Sequence, residues 1–161
     1  GFISITKSTA RAGVPAIVIV RWKVLKPETY HFLDLLKMGM MYLDVLLNED
    51  DNFTVNGLYI INDMRGFSLG FVKQLTPALC KKTIMVVQNA YPYRLKGLYF
   101  LYAPAVYEVF LNMFTPFFGE KLKSRFKVFR EDATEQLYEY IPRGVFPEEY
   151  GGEAGPISKL N

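Results

Sequence analysis

The chain has 161 residues, of which 50% are hydrophobic, 16% aromatic and 22% charged. That length suits one domain, and that apolar content excludes intrinsic disorder as the main state. Glycine without a period and a single cysteine exclude a collagen-like fibre and a disulfide-stapled miniprotein. The formal net charge of +3 is unevenly spread: residues 65–130 hold eleven basic and two acidic side chains, a net of +9, which leaves −6 elsewhere. Such asymmetry points to one surface that meets an anionic partner, with nucleic acid and anionic membrane as the two classes to weigh. Lone Cys80 lies in an apolar helical pattern and reads as a buried thiol in a reducing cytosol. No signal peptide is visible, and an opening Gly1 in place of Met leads us to expect a truncated or processed N-terminus.

In chain order, residues 15–22 (PAIVIVRW) are β-branched and follow a Gly-Val-Pro turn, so they predict a buried strand. Pro27 opens a predicted helix over 28–47, with Leu33, Leu36, Met40, Leu43 and Leu47 at helical spacing. An acidic loop is expected from Asn48 to Asn52, then a second strand over 55–63. Thr76 and Pro77 supply an N-cap and a first-turn proline for a helix over 77–90. A third strand is expected over 97–102, an apolar helix over 105–115, a basic connection, a short strand near 125–130 and a last helix near 132–140. This β-α alternation predicts an α/β sheet with helical cover, and the mostly apolar strands suit a sheet buried on both faces. The tail from Gly151 is glycine-rich and expected to be loose.

Residues 97–119 carry a single charge, Glu108, and have the length of a membrane span. Pro104 and Pro116 interrupt the stretch, and Glu108 near the midplane would cost several kcal/mol, so it reads as a strand followed by a very apolar helix. That helix is apolar almost all round, with only Glu108 and Asn112 as a narrow polar stripe. Such a helix is either buried or meets lipid. Phe117 and Phe118 follow it, then Lys121, Lys123 and Arg125, and aromatics beside a basic cluster are what a peripheral membrane contact needs.

Chemistry-bearing patterns are scarce. His31 is the one histidine, far in sequence from any nucleophile, and reads as a surface residue. No nucleophile elbow, phosphate-binding glycine loop or Cys/His metal cluster is present, so no cofactor is expected. Asp63 at a strand end reads as a turn-capping residue rather than a catalytic carboxylate. Nothing in the sequence gives a positive reason to expect an enzyme. Nucleic-acid binding is disfavoured because the aromatics are interleaved with aliphatics, whereas stacking platforms sit on polar, basic surfaces.

Several ordered motifs carry a resemblance. Gly57-Leu58-Tyr59-Ile60-Ile61-Asn62-Asp63-Met64-Arg65-Gly66 resembles the G-x-x-x-I-x-D-x-x-G segment of CRAL-TRIO lipid-binding domains. Ala90-Tyr91-Pro92-Tyr93-Arg94-Leu95-Lys96-Gly97 resembles their YP-x-R-x-x-G/K element, and Leu98 to Pro104 the strand that ends in N-x-P, with Ala103 before the proline. Ile141-Pro142 and Phe146-Pro147-Glu148-Glu149-Tyr150-Gly151-Gly152 resemble the terminal signature, and Gly13-Val14-Pro15 the start. The arrangement is most similar to the branch that contains tocopherol-transfer and retinaldehyde-binding members. Members of that branch carry a helical N-terminal domain, which is absent from these residues; the expected boundaries are 1–152 for the lipid-binding domain and 153–161 for a flexible tail.

The resemblance implies a lipid-sized cavity between a mostly parallel sheet and its covering helices, closed by a mobile gate that here maps to residues 105–119. It implies an intracellular carrier of a tocopherol-, retinoid- or carotenoid-like lipid that docks transiently on phosphoinositide-containing membranes. The matching headgroup positions are Arg94, Lys96, Lys121 and Arg125. Strand alternation nominates Leu58, Ile60, Asn62, Leu98 and Phe100 as cavity lining. The helices and their links nominate Met40, Leu69, Leu75, Val86, Val87, Val106, Phe110 and Met113. Asn62 has two readings, a hydrogen-bonding partner for a ligand hydroxyl or aldehyde and a satisfied interior amide. Tyr93 stands where phosphatidylinositol-transferring members commonly have Glu, which weakens an internal phosphatidylinositol site. The rival function is a lipid-regulated adaptor that senses lipid without moving it.

Overall fold

Three apolar runs form the middle of a five-stranded sheet in the computed structural model, which describes residues 1–6, 13–49 and 51–159, Asn52 by its backbone alone. Strands β1 (Ile3–Thr6), β2 (Ala16–Arg21), β3 (Leu58–Asp63), β4 (Leu95–Leu101) and β5 (Phe126–Val128) lie side by side in chain order. β1 is antiparallel to β2, and every later pair is parallel. Parallel neighbours need crossovers. α1 (Phe32–Glu49) and α2 (Asp51–Asn56) link β2 to β3; α3 (Leu69–Val72) and α4 (Pro77–Asn89) link β3 to β4; α5 (Tyr107–Phe114) and α6 (Glu120–Arg125) link β4 to β5. α7 (Ala133–Leu137) follows. The result is an α/β sheet with helical cover, as the alternation predicts, and it is mixed and mostly parallel, as the resemblance implies.

The two-residue period of the strands sorts side chains onto two faces. Ile17, Ile19, Ile61, Tyr99 and Leu101 face a cluster closed by Leu137, Ile141, Phe146 and Tyr150. Val18, Val20, Ile60, Asn62, Leu98 and Phe100 face the other side, towards α1, α4 and α5. Both faces are therefore covered, which is why these strands read as continuous apolar runs.

Element boundaries differ from the sequence expectations for identifiable reasons. α1 begins at Phe32, not at residue 28, because its start is set from a distance: Gln74 Oε1 accepts from Phe32 N at 2.6 Å, and Gln74 Nε2 donates to Pro27 O at 3.1 Å. Its fully buried residues are Phe32 and Leu35, whereas Leu33 is exposed. Residues 51–56 form α2 in place of a loop and the start of a strand, and Gly57, with φ +87°, ends the helix and turns the chain into β3. Glycine is required there, since a Cβ would meet Arg94 O at 2.5 Å. The Thr76 cap forms as expected, its side chain accepting from Leu79 N at 3.2 Å. The basic connection is a helix, α6, anchored by buried Leu122. Residues 153–159 return to the body of the fold, where Ile157 is buried and its N–H donates to Glu149 at 3.0 Å. Asp50 of the expected acidic loop and residues 160–161 of the expected tail lie outside the described residues.

Asp63 closes β3 as a structural joint. Its buried carboxylate accepts from the Arg65 side chain and backbone and, at 2.9 Å, from the Tyr150 hydroxyl, which joins two motifs 87 residues apart. Arg65 in turn stacks over the Tyr102 ring at 4.5 Å, and Tyr102 has a left-handed backbone (φ 54°). Arg65 and Tyr150 thus tie the carboxylate into the fold.

Burial pushes the Tyr93 and Tyr99 phenols up from 10.0 to about 12. Burial raises Tyr107 and Tyr150 as well. In the unfolded chain these groups lose their protons near pH 10, and in the folded chain only above it. Their contribution is therefore complete below pH 10 and is lost as pH rises towards 12, by about 1.4 kcal/mol per pH unit for each such tyrosine. Unfolding between pH 10 and 12, followed by circular dichroism, is expected to coincide with the rise of tyrosinate absorbance; titration of all tyrosines near pH 10 in a still-folded protein would contradict it.

Candidate functional site

A cavity of about 210 Å³ lies between the sheet and the layer formed by α1, α4 and α5. The sheet supplies its floor, with Val18 and Val20 from β2, Ile60 and Asn62 from β3, and Leu98 and Phe100 from β4. Leu36, Met40 and Leu43 of α1 form one wall, Ile84, Val86 and Val87 of α4 another, and Phe110, Leu111 and Phe114 of α5 the cover. No side chain of the lining is charged. One water needs only roughly 10–15 Å³, and an apolar cavity far above that size stays dry and takes up apolar guests.

The few polar groups of the lining are mostly committed to the protein. Thr83 Oγ1 donates to Leu79 O at 2.8 Å, the Tyr93 hydroxyl to Val87 O at 3.3 Å, and the Tyr91 hydroxyl to Met40 O at 3.4 Å. The Trp22 indole donates to Asn62 Oδ1 at 3.4 Å. Cys80 is fully buried in the adjoining core, and burial pushes its thiol up, which favours the protonated form.

Of the residues nominated from sequence, Met40, Ile60, Asn62, Val86, Val87, Leu98, Phe100 and Phe110 line this cavity. Five do not. Leu58 has the right strand parity but sits at the far end of β3, packed among Ile3, Ala16, Val18 and Phe53. Leu69 is 48% exposed at the start of α3. Leu75 is buried in the link between α3 and α4, and Val106 and Met113 are half-buried against the core without reaching the cavity. Sequence reasoning missed Trp22, Phe32, Tyr93 and Phe118. Continuing the β2 alternation from Val18 and Val20 reaches Trp22; no local signal marks the others.

The segment read as a gate is tied at both ends. On α5, Glu108 is ion-paired with Arg130 beyond β5. After α5, Gln88 of α4 donates to Phe117 O at 3.4 Å and accepts from Gly119 N at 2.7 Å. Between these ties Tyr107, Phe110 and Phe114 are buried, while Val109 is 49% exposed.

Arg94 and Lys96 lie at the amino end of β4, and Arg125 directly precedes the amino end of the neighbouring parallel strand β5. The Lys96 side chain runs over Gly57, on the β3 side. Lys121 is one helical turn before Arg125 on α6. Among the described residues no carboxylate pairs with any of the four; Lys123, next to them, is tied to Glu120 at 3.1 Å. Among the described residues no helix is long and apolar enough to cross a membrane.

Comparison with known proteins gives a consistent picture. Alpha-tocopherol transfer protein-like of Mus musculus is 28% identical over 159 residues, covering 98% of this chain and 45% of that protein. Clavesin-1 of Rattus norvegicus is 29% identical over 125 residues, covering 78% of this chain and 35% of that protein. The chain thus spans less than half the length of these curated relatives. The crystal structure of Sfh5 shares the fold, with a TM-score of 0.71 at 20% identity over 99% of this chain and 57% of that one. Residues 12–152 match the family model of the CRAL/TRIO domain. That match takes in β2 to β5, most of the cavity wall and the Asp63–Tyr150 joint, and the chain belongs to the CRAL/TRIO domain family.

Proposed function

We propose that this chain is the cargo-holding domain of a carrier for a small hydrophobic lipid, of tocopherol-, retinoid- or carotenoid-like size and character. The observation that carries the reading is the cavity walled by uncharged, mainly aliphatic and aromatic side chains. Each Å² of apolar ligand surface taken from water into such a site contributes roughly 25 cal/mol. The names of the tocopherol-transfer-like relatives support the same reading. Loading requires no bond chemistry. Arg94, Lys96, Lys121 and Arg125 meet phosphates of a phosphoinositide-containing membrane, the ties of Glu108 and Gln88 release, and the apolar face of α5 turns into the interface while the ligand exchanges. The membrane offsets the cost of exposing Phe110 and Phe114.

The test has two arms. Organic extraction and native mass spectrometry of the purified protein should recover a neutral lipid in stoichiometric amount, and the loaded protein should move that lipid between two vesicle populations. Recovery of no lipid together with no uptake from vesicles would overturn the cavity reading. Uptake without transfer would overturn the carrier and leave a sensor.

A further inference from the structure

We propose that the outer face of α1 is a docking surface for a second protein, one that presents a basic amphipathic helix. α1 is apolar on two faces. Phe32, Leu35, Leu36, Gly39 and Leu43 turn towards the sheet and line the cavity. Met38, Met41, Tyr42 and Val45 follow the i, i+3, i+4, i+7 spacing that sets side chains along one line of a helix. Tyr42 stands where the two faces meet, since it also lines the cavity. Met38 packs partly against the core, but Met41 is 65% exposed, Val45 51%, and Tyr42 is exposed as well. α2 packs on α1 and carries Val55, also exposed. Single exposed apolar residues are ordinary, whereas a run of them in helical register marks a contact surface.

Two properties of this face choose the partner. The first is shape. Side chains at that spacing form a ridge along the helix, and a ridge fits the groove of another helix. Met38 and Met41 are unbranched and polarizable, so the ridge adapts to the helix it meets. The second is charge. Asp34 and Glu49 stand one turn before and one turn after the line, and Asp44 is three residues from Met41. Asp51 opens α2. Residues 28–56 hold six acidic side chains and one basic, a net of −5. The basic one, Lys37, is 3.4 Å from Asp34, while Asp44, Glu49 and Asp51 have no ion pair among the described residues. An apolar line framed by carboxylates repels an anionic membrane and complements Lys or Arg beside the apolar stripe of a partner helix.

The probe is a labelled peptide of about 18 residues, long enough for several helical turns, with Leu at i, i+3, i+4 and i+7 and Lys elsewhere. A second peptide has Glu in place of every Lys. Fluorescence anisotropy against the whole chain should show the Lys peptide binding at least about ten-fold more tightly than the Glu peptide, with an affinity that falls as salt rises. Methyl NMR of the six methionines locates the contact: Met38 and Met41 should shift, and Met64, fully buried in the core, should not. Met41→Gln with Val45→Thr changes no charge and acts at exposed positions, and it should weaken Lys-peptide binding about ten-fold or more. The surface is wrong if the bound peptide leaves the Met38 and Met41 methyls unmoved, or if the double variant, folded by circular dichroism, binds as the wild type does. The charge argument fails if the two peptides bind equally. Lys-peptide binding weaker than about 1 mM would show that the face recognises no such helix. Neutral phosphatidylcholine vesicles that shift Met41 where the peptide does not would make the face a lipid contact and overturn the proposal.

Discussion

Alanine at Arg94, Lys96, Lys121 and Arg125 together is expected to lower affinity for phosphoinositide-containing vesicles about a thousand-fold. Each basic side chain near an anionic surface is worth about 1 kcal/mol, so four amount to about 4 kcal/mol, or close to three decades in affinity. Arg94 and Lys96 lie at the amino end of β4 and Lys121 and Arg125 on α6 just before β5, and no carboxylate among the described residues pairs with them. Lys37→Ala is a suitable control, because that ammonium lies on α1, 3.4 Å from Asp34. Vesicle sedimentation over a range of salt gives a second readout: the wild-type affinity should fall steeply with ionic strength and the variant's should be nearly flat. Equal affinity of the two proteins at low salt would remove the patch from the docking surface.

Asp63→Ala is expected to destabilise the fold by about 1.5–3 kcal/mol, the range for losing a hydrogen bond to a charged group. The carboxylate is 4% exposed, and its loss leaves the buried Tyr150 hydroxyl without its acceptor, whereas the half-exposed Arg65 guanidinium turns to water. Tyr150→Phe, which removes one hydrogen bond to a charged group, should cost about 1.5–3 kcal/mol. Since domains of this kind are stable by only about 5–15 kcal/mol, the loss in the alanine variant is a sizeable share of the total. Urea titration monitored by circular dichroism gives the numbers. A loss below about 1 kcal/mol for Asp63→Ala would show that the joint between β3 and the terminal motif is dispensable.

The layered architecture was readable because its signals are local. β2, β3 and β4 are short β-branched or aromatic runs between Gly and Pro breaks, and Thr76-Pro77 announces α4 directly. What escaped is what locality does not encode. β1 and α3 have four residues each, too few for a period to emerge. α6 reads as a charged linker because only Leu122 of its six residues is buried. α1 starts where a glutamine 42 residues away caps it. The same division runs through the cavity. Alternation along a strand tells which side chains share a face, so Ile60, Asn62, Leu98 and Phe100 could be named together. It does not tell where along the strand the cavity stops, and Leu58, of equal parity, lies under Phe53 instead. Nor does it give the rotation of α1 about its axis, which brings Phe32 inward and leaves Leu33 in solvent.

The cavity also has a thermodynamic consequence. Side chains that face an unfilled apolar cavity lose packing partners on that side, so the empty site weakens the fold around it. In the carrier proposed above, a lipid seated between β3, α4 and α5 would complete that packing as an internal side chain does. Binding only the folded chain, it would stabilise the fold by mass action, and the proposed carrier would be least stable between release of one lipid and capture of the next.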